Sequence, residues 1–117
     1  MSVRRRQVGD VVVLDVGGHF YGGRETGVLE RVLFEEIELD SAAVLVNLSE
    51  CMGMNSTGIG VLLRAHDASE RRGSSLRFCG AAGRMKSLLS LLRAGALLDQ
   101  HASEDEALAA FAQRVSA

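Results

Sequence analysis

The chain alternates between short apolar runs and longer stretches in which apolar residues recur every three or four positions. The runs at 11–16 and 43–48 are nearly continuous and rich in β-branched residues, which is typical of strands buried on both faces of a parallel sheet. A shorter run at 76–79 alternates and predicts a third strand. Residues 3–8 form a weaker strand candidate, and the glycine–aspartate pair at 9–10 predicts a hairpin turn into the strand that follows.

Apolar residues at the spacing of amphipathic helices mark further stretches of the chain. The predicted helices cover residues 25–39, 56–72, about 85–92 and 104–115. In the first helix, the residues expected to face the core are Val28, Leu29, Val32, Leu33 and Ile37. In the second they are Ile59, Leu62 and Leu63, with His66 as a further candidate. In the third they are Met85, Leu88, Leu89 and Leu92, and in the last they are Leu108, Phe111 and Val115. Glu36 and the other charged residues of the first helix are expected mostly outside its apolar stripe. Ser103 and the acids that follow it predict the N-terminal cap of the last helix.

Glycine-rich and polar segments connect these elements. Residues 17–23 predict a flexible connection into the first helix, and residues 49–55 predict a loop before the second. Residues 97–98 predict a short edge strand. Because helices that lie between buried strands indicate parallel crossovers, the sequence predicts one α/β domain with a mixed sheet.

Composition restricts the class of protein. The 117 residues suffice for a domain with its own core, and 47% apolar and 24% charged residues are ordinary for a folded protein. A formal net charge of −2 and an aromatic content of 4% argue against direct nucleic-acid binding. The basic run at 4–6 is interpreted as a solvated strand edge or terminus, not as a phosphate- or lipid-binding patch. No run approaches the ~18 apolar residues of a membrane span and no signal peptide is recognisable, so we expect a cytoplasmic protein without membrane insertion.

Cysteines and histidines are dispersed along the chain. Cys51 and Cys79 form no Cys-x-x-Cys pair, which predicts reduced thiols that pack as small apolar groups, although an exposed Cys51 would be reactive. His19, His66 and His101 lack the spacing of metal ligands, so no metal site is predicted. His66 is interpreted as a partly buried packing residue of its helix.

Glycines around residue 56 match catalytic motifs only in part. Gly53 and Gly58 have the spacing of a phosphate-binding loop, but the lysine and hydroxyl residue required after the second glycine are missing. Ser56 lies two residues before Gly58, but Met54 stands where a nucleophile elbow has its first glycine. The glycines at 17–23 form no dinucleotide-binding fingerprint. The sequence therefore gives little support to an NTPase, a dinucleotide-dependent enzyme or a serine hydrolase.

The segment 55–60, Asn-Ser-Thr-Gly-Ile-Gly, lies between a buried strand with its loop and the second predicted helix. Asn and Ser are favoured N-cap residues because their side-chain oxygens accept from free backbone N–H groups, so one interpretation is a plain helix cap. The functional interpretation is that a hydroxyl at a helix N-terminus is well placed to carry a phosphate, whose charge the helix dipole stabilises.

The stretch 46–63 resembles the signature of STAS domains, the anti-sigma factor antagonists. Its centre at 55–60 is similar to the family pattern Asp-Ser-Ser/Thr-Gly-Leu/Ile-Gly. Further parts of the chain that are similar to the family are 11–18, 76–80, 88–92 and 107–111, so the resemblance covers about residues 3–115. It implies that residues 1–117 form a single STAS domain with a four- to five-stranded mixed sheet and helices packed on it.

The resemblance also implies a function. In partner-switching members of the family the serine after the aspartate is phosphorylated; that serine corresponds to Ser56 here, with Thr57 as a second candidate. An anti-sigma factor serine kinase would modify Ser56, a cognate phosphatase would reverse the modification, and the unmodified domain would bind the anti-sigma factor and release the sigma factor for transcription. The implied partner-binding residues are Gly53, Met54, Asn55, Ser56, Thr57, Gly58 and Ile59. The resemblance implies no enzymatic activity and no cofactor.

The chain departs from the family pattern at two places. Asn55 stands where the family has an aspartate, which favours an alternative function as a non-phosphorylated STAS scaffold in a larger signalling or transport assembly. Residues 18–25 are glycine-rich where the family often has an Asp-x-x-Thr-Ala turn, and they resemble a glycine-rich subgroup. A small hydrolase that uses Ser56 is a third possibility, for which the sequence offers no convincing histidine and acid partner.

Overall fold

A computed structural model describes residues 2–39, 41, 43–91 and 98–116. The elements in chain order are β1 (Ser2–Val8), β2 (Val11–Phe20), α1 (Gly23–Glu38), β3 (Ala43–Asn47), β4 (Cys51–Met54), α2 (Ser56–Arg71), β5 (Ser75–Cys79), α3 (Gly83–Leu91), β6 (Gln100–His101) and α4 (Glu104–Ser116). The strands form a mixed six-stranded sheet in the order β1-β2-β3-β5-β6, and β4 pairs with the end of β2. Only the β1–β2 pair is antiparallel within this described sheet. The α/β fold with a mixed sheet is therefore confirmed.

The hairpin between β1 and β2 confirms the turn predicted at 9–10. Val8 pairs with Val11, and Gly9 adopts a φ of 58°, which a glycine reaches without strain. The register then runs back to Ser2 opposite Gly17, so β1 is the antiparallel edge strand of the sheet.

The continuous apolar strands are explained by helices on both faces of the sheet. Val12 and Leu14 of β2 belong to a core to which α1, α2 and α3 contribute. Val11 and Val13 point to the opposite face, where Ala107 and Phe111 of α4 pack against them. Because successive side chains of a strand point to opposite faces, a strand covered on both sides must be apolar at nearly every position.

The segment after residue 16 differs from the sequence-based expectation. Residues 17–20 are not a flexible connection but extend β2, and residues 51–54 of the expected loop form β4. The register of β2 shifts between Gly18 and His19, where Gly18 has a φ of 101°. This irregularity lets β2 change its neighbour from β3 to β4, so glycines that suggested flexibility instead provide a bulge.

Several smaller expectations are corrected as well. Glu36 is buried, with 5% of its surface exposed, because its carboxylate accepts a hydrogen bond of 2.6 Å from Arg5 on β1. Leu63 is only half-buried, whereas Leu62 is fully buried. The structure has a short edge strand at Gln100–His101, and Leu98, where one end of the edge strand was expected, is not in a strand.

Some predicted positions lie outside the residues that the structure describes. These are Leu92 and Leu97, and the side chain of Val115 on α4. The cap of α4 is confirmed, since the backbone N–H of Glu106 donates to Ser103 Oγ at 3.2 Å. In the described part of the chain, every helix is too short or too polar to cross a lipid bilayer.

Candidate functional site

The site lies where the end of β2, strand β4 and the start of α2 meet. Parallel pairing places Phe20 beside Met54, and the backbone N–H of Asn55 donates to the carbonyl oxygen of Phe20 at 3.1 Å. The residue that precedes α2 is therefore held against the sheet by a strand hydrogen bond. The carboxyl ends of parallel strands, where β2 and β4 finish, are the usual place for ligand and partner sites in α/β folds.

Asn55 is the N-cap of α2, as the sequence predicts. Its backbone is extended, with φ −95° and ψ −175°, and its Oδ1 accepts hydrogen bonds from Thr57 N at 3.1 Å and Gly58 N at 3.2 Å. Its carbonyl oxygen accepts from Ile59 N at 3.1 Å, which begins the helical hydrogen bonds. The side chain thus satisfies two of the free N–H groups of the first turn.

Ser56 is the first helical residue, and its side chain is exposed. Its Oγ makes no hydrogen bond to any residue in the described part of the chain, and the cap of the helix is Asn55. Thr57 is exposed beside it, and the first turn of α2 contains no acidic residue. Two accessible hydroxyls therefore stand at the positive end of the helix dipole without a neighbouring helical carboxylate.

Ser56 also lacks the surroundings of a hydrolase nucleophile. A nucleophilic serine needs a base within hydrogen-bond reach, and among the described residues no histidine is hydrogen-bonded to Ser56. His66 bonds to Asp99, and His101 contacts Arg77.

Gly58 is required by the close approach of α2 to β2. A β-carbon at residue 58 would stand 2.9 Å from the carbonyl oxygen of Phe20 and 3.1 Å from Cβ of Met54. Neither atom is at the end of a flexible side chain, so residue 58 must lack a side chain for the first turn of α2 to lie where it does.

The seven predicted partner-binding residues differ in their exposure to solvent. Ser56 and Thr57 are exposed and Asn55 is half-buried. The buried members are Gly53, Met54, Gly58 and Ile59. Met54 and Ile59 are each 3% exposed and belong to the core, so they support the surface from beneath. The accessible part of the predicted surface is the start of α2.

Two exposed side chains near this site were missed from the sequence. Tyr21 is 51% exposed and Met52 is 60% exposed, although large apolar groups are usually more buried. The Tyr21 hydroxyl lies over Gly53, and the His19 and Tyr21 rings are 5.6 Å apart. Met52 was missed because the sequence does not predict β4; within that strand Met52 points away from the buried Cys51.

Both thiols are free and buried. Burial raises the pKa of the Cys51 thiol above its usual value, and burial together with the nearby carboxylates of Glu104 and Asp15 raises the pKa of Cys79 to about 11. Since the thiolate is the nucleophile, neither cysteine is activated for covalent chemistry at neutral pH. The prediction that they pack as apolar groups is confirmed.

The basic run at 4–6 is not simply solvated. Arg5 pairs with Glu36, and Arg6 bonds to both Asp15, at 2.9 Å, and Glu104, at 2.6 Å. These bonds hold the pKa of each of the two carboxyl groups that contact Arg6 below its usual value. The run therefore connects β1 to α1, β2 and α4.

Several solved protein structures have a fold similar to that of this chain. An anti-sigma factor antagonist from Mycobacterium paratuberculosis superposes with a TM-score of 0.81 at 16% identity, covering 93% of this chain and 92% of that one. The Bacillus cell fate determinant SpoIIAA in its phosphorylated form gives 0.71 at 16% identity, covering 94% and 99%. A sulfate transporter family protein from Wolinella succinogenes gives 0.75 at 18% identity, covering 94% and 91%. At such identities the likeness shows a shared fold.

Sequence comparison identifies the family. No curated protein sequence matches this chain significantly. The sequence model of the STAS domain, however, matches residues 2–107, which is most of the chain. Fold, signature segment and family model agree, and the chain belongs to the STAS domain family.

Proposed function

We propose that this STAS domain is an anti-sigma factor antagonist that binds an anti-sigma factor kinase through the surface at the start of α2. Phosphorylation of Ser56 switches that interaction off and so controls sigma-factor-dependent transcription. The observation that carries the proposal is the exposed Ser56 hydroxyl, which begins α2 without serving as its cap.

Accessibility and capping make Ser56 a suitable phosphate acceptor. A kinase must reach the hydroxyl, and both Ser56 and Thr57 are exposed. Because the cap is the side chain of Asn55, a phosphate on Ser56 would break none of the hydrogen bonds that begin α2. The added charge of about −1.5 to −2 would lie at the positive end of the helix, where the dipole stabilises it.

The same charge would oppose docking of a partner. Met52 on β4 and Tyr21 over Gly53 offer exposed apolar area, and Ser56 follows β4 by two residues. A partner that covers this surface must displace the water around the Ser56 hydroxyl or, after phosphorylation, around its phosphate. Desolvating a phosphate without a compensating cation costs several kcal/mol, so phosphorylation would weaken the complex while the fold persists.

The similar structures support this proposal at the level of the fold. They include anti-sigma factor antagonists, and one was solved in a phosphorylated form. For this chain we propose a non-enzymatic cytoplasmic regulator whose partners are an anti-sigma factor serine kinase and a cognate phosphatase, with no cofactor of its own.

The experiment is an in vitro kinase assay with a purified anti-sigma factor kinase from the same genome. Phosphopeptide mapping by mass spectrometry should place the phosphate on Ser56. Ser56→Ala should remove it, and Thr57→Ala, a neighbouring hydroxyl on the same turn, should leave it unchanged. Modification of Thr57 in the parent protein, or none by any such kinase, contradicts the proposed switch.

A second candidate function is a STAS scaffold that is never phosphorylated. Asn55, in place of the family aspartate, favours it, because kinase recognition then lacks a carboxylate beside the acceptor serine. A sulfate transporter family protein shares the fold, so assemblies other than sigma regulation use it. Phosphorylation of Asn55→Asp but not of the parent by the same kinase would favour the scaffold function.

A further inference from the structure

We propose that His66, Glu70 and Asp99 form a binding site for a divalent transition-metal ion of the zinc class. The site lies on the C-terminal half of α2, at the opposite end of the helix from Ser56. The Nε2 atom of His66 is 3.1 Å from Oδ2 of Asp99 and 3.8 Å from Oε1 of Glu70. All three potential ligand atoms lie within 4.8 Å of one another.

The spacing of the three ligand atoms is compatible with a shared metal ion, which would take the place of the hydrogen bond between His66 and Asp99. Tetrahedral zinc holds nitrogen and oxygen ligands at about 2.0–2.2 Å, which separates neighbouring ligand atoms by roughly 3.3–3.5 Å. The observed separations of 3.1 and 3.8 Å bracket that range. At 3.8 Å the Glu70–His66 pair is too long for a hydrogen bond, and a shared ion would engage both groups through small side-chain rotations.

The backbone brings the three side chains together from two elements. His66 and Glu70 are four residues apart on α2, so they share one face of the helix. Asp99 precedes β6, and its carbonyl oxygen accepts a hydrogen bond of 2.8 Å from the N–H of Phe78 in β5. Two ligands are thus fixed on a regular helix, and the third is fixed beside a sheet strand.

The donor set selects the class of ion. An imidazole nitrogen with two carboxylate oxygens suits zinc and neighbouring transition metals, whereas calcium and magnesium prefer an all-oxygen set. Three protein ligands leave a position for water, as in open zinc sites. The cleft lined by Leu63, His66, Asp67, Glu70 and Asp99 has a volume of about 550 Å³ and opens to solvent, so it has room for an ion with water.

Burial differs among the ligands in a way that favours binding. The His66 side chain is 17% exposed, which limits its mobility, while Glu70 and Asp99 are 52% and 45% exposed, so an ion can reach their carboxylates from solvent. Both carboxylates face one imidazole. A divalent cation would engage the imidazole and both carboxylates at once.

The position on α2 separates this site from Ser56. Ser56 and His66 are ten positions apart, which is about 15 Å along a helix. The metal site therefore does not depend on the proposed phosphorylation, and its failure would leave that proposal intact.

The test is calorimetric titration of untagged protein with zinc, with thermal melts in parallel. We expect saturable binding of one zinc per chain and a rise in melting temperature with zinc. Glu70→Gln and Asp99→Asn should melt like the parent without zinc but bind it at least about tenfold more weakly, since even outer-shell losses cost about 10- to 100-fold. His66→Gln should abolish binding. Asp67→Asn is the matched control, because Asp67 lines the same cleft but pairs with Arg71 at 2.7 Å.

Two results would overturn the site. One is the absence of saturable zinc binding by the parent. The other is equal zinc affinity of the parent, Glu70→Gln and Asp99→Asn, which would place the ion elsewhere, for example at His19 or His101. Because both carboxylates are about half-exposed, the two variants should fold, and the comparison does not depend on His66 alone.

Discussion

The hydroxyl of Tyr21 lies so close to the α-carbon of Gly53 that a β-carbon at residue 53 would stand 2.5 Å from it. Tyr21 is half-exposed and can swing away, so Gly53→Ala should change the free energy of unfolding by less than about 1 kcal/mol. The displaced ring should become more accessible to water. Since the chain has one tyrosine and no tryptophan, acrylamide quenching of intrinsic fluorescence reports on Tyr21 alone. Unchanged quenching in Gly53→Ala would show that the ring does not rest on Gly53.

Gly58 should behave in the opposite way, because its neighbours are fixed. Alanine is favoured over glycine in a helix by about 1 kcal/mol, but here its methyl group would meet the Phe20 carbonyl oxygen at 2.9 Å. We expect Gly58→Ala to lose about 1–3 kcal/mol in urea denaturation. Gly60→Ala is the matched control, because its β-carbon would meet only the flexible end of Arg64 at 3.4 Å. If both variants gain stability, the close packing of α2 on β2 is wrong.

Asn55 caps α2 through its side-chain oxygen, which an aspartate also has. Asn55→Asp should therefore change the free energy of unfolding by no more than about 1 kcal/mol, with a small gain from the helix dipole. Asn55→Ala should lose about 1 kcal/mol, because two N–H groups of the first turn lose their acceptor. Chemical denaturation of the three proteins measures both differences. A loss of several kcal/mol in Asn55→Asp would mean that the amide donates an essential hydrogen bond.

The two adjacent leucines of α2 should respond unequally to truncation. Leu62 is 0% exposed within the main core, so Leu62→Ala should lose about 2–5 kcal/mol. Leu63 is half-buried at the margin of that core and should lose clearly less. Thermal and urea unfolding of the two variants gives the comparison. Equal losses would indicate that Leu63 is packed more deeply than the structure shows.

Leu62 and Leu63 also show how far apolar periodicity predicts a structure. The pattern indicates which stretch is a helix and roughly which face is buried, because amphipathic spacing depends on local geometry alone. How deeply each residue is buried depends on which neighbours reach it. Leu63 lies beside the cleft that contains His66 and Asp99, and no local pattern indicates that Asp99, 36 positions later in the sequence, lies there.

At the start of α2, too, features that depend on neighbouring residues are predicted from the sequence, and features that depend on distant residues are not. The sequence predicts Asn55 as a cap because capping needs only residues within one turn. It does not predict strand β4, whose four residues include a glycine and pair with an irregular extension of β2. Glu36 is expected at the surface because its partner Arg5, on β1, is 31 positions away.

The hydrogen bonds of Arg6 to two carboxyl groups should make the stability of the fold depend on pH in the acid range. These hydrogen bonds hold the pKa values of Asp15 and Glu104 below their ordinary values of 3.8 and 4.5. A carboxyl group with a lowered pKa stabilises the fold above its ordinary pKa and loses that contribution as the pH falls through the lowered value. Arg6→Gln should therefore be less stable than the parent at pH 7, and the difference should shrink below about pH 4.

Screening by solvent limits the difference in stability between Arg6→Gln and the parent. The Arg6 side chain is 41% exposed, so we expect about 1 kcal/mol or less at pH 7. Urea denaturation at neutral pH and near pH 3 measures it. Arg31→Gln is the control, because Arg31 pairs with Glu35 at 3.9 Å on the exposed face of α1 and should show little pH-dependent difference. A constant difference for Arg6→Gln at both pH values would mean that the two carboxyl groups do not depend on Arg6.

Ser56 should separate stability from partner binding. Ser56→Asp places a carboxylate at the first position of α2, where the helix dipole should leave the free energy of unfolding unchanged or raise it by about 0.3–1 kcal/mol. The same charge at a covered interface must be desolvated. Ser56→Asp should therefore bind the anti-sigma factor at least about tenfold more weakly, which corresponds to about 1.4 kcal/mol. Ser56→Ala should keep both the parental melting temperature and the parental affinity.

Thr57→Asp distinguishes a specific switch at Ser56 from a general effect of negative charge. Thr57 is also exposed and lies in the same turn, so its carboxylate should be tolerated equally well by the fold. If Ser56 faces the centre of the partner surface, Thr57→Asp should weaken binding less than Ser56→Asp does. Titration calorimetry of the four proteins against the purified anti-sigma factor, with thermal melts alongside, gives both quantities. Equal affinities for the parent, Ser56→Ala and Ser56→Asp would remove Ser56 from the interface and leave the scaffold function as the better explanation of this fold.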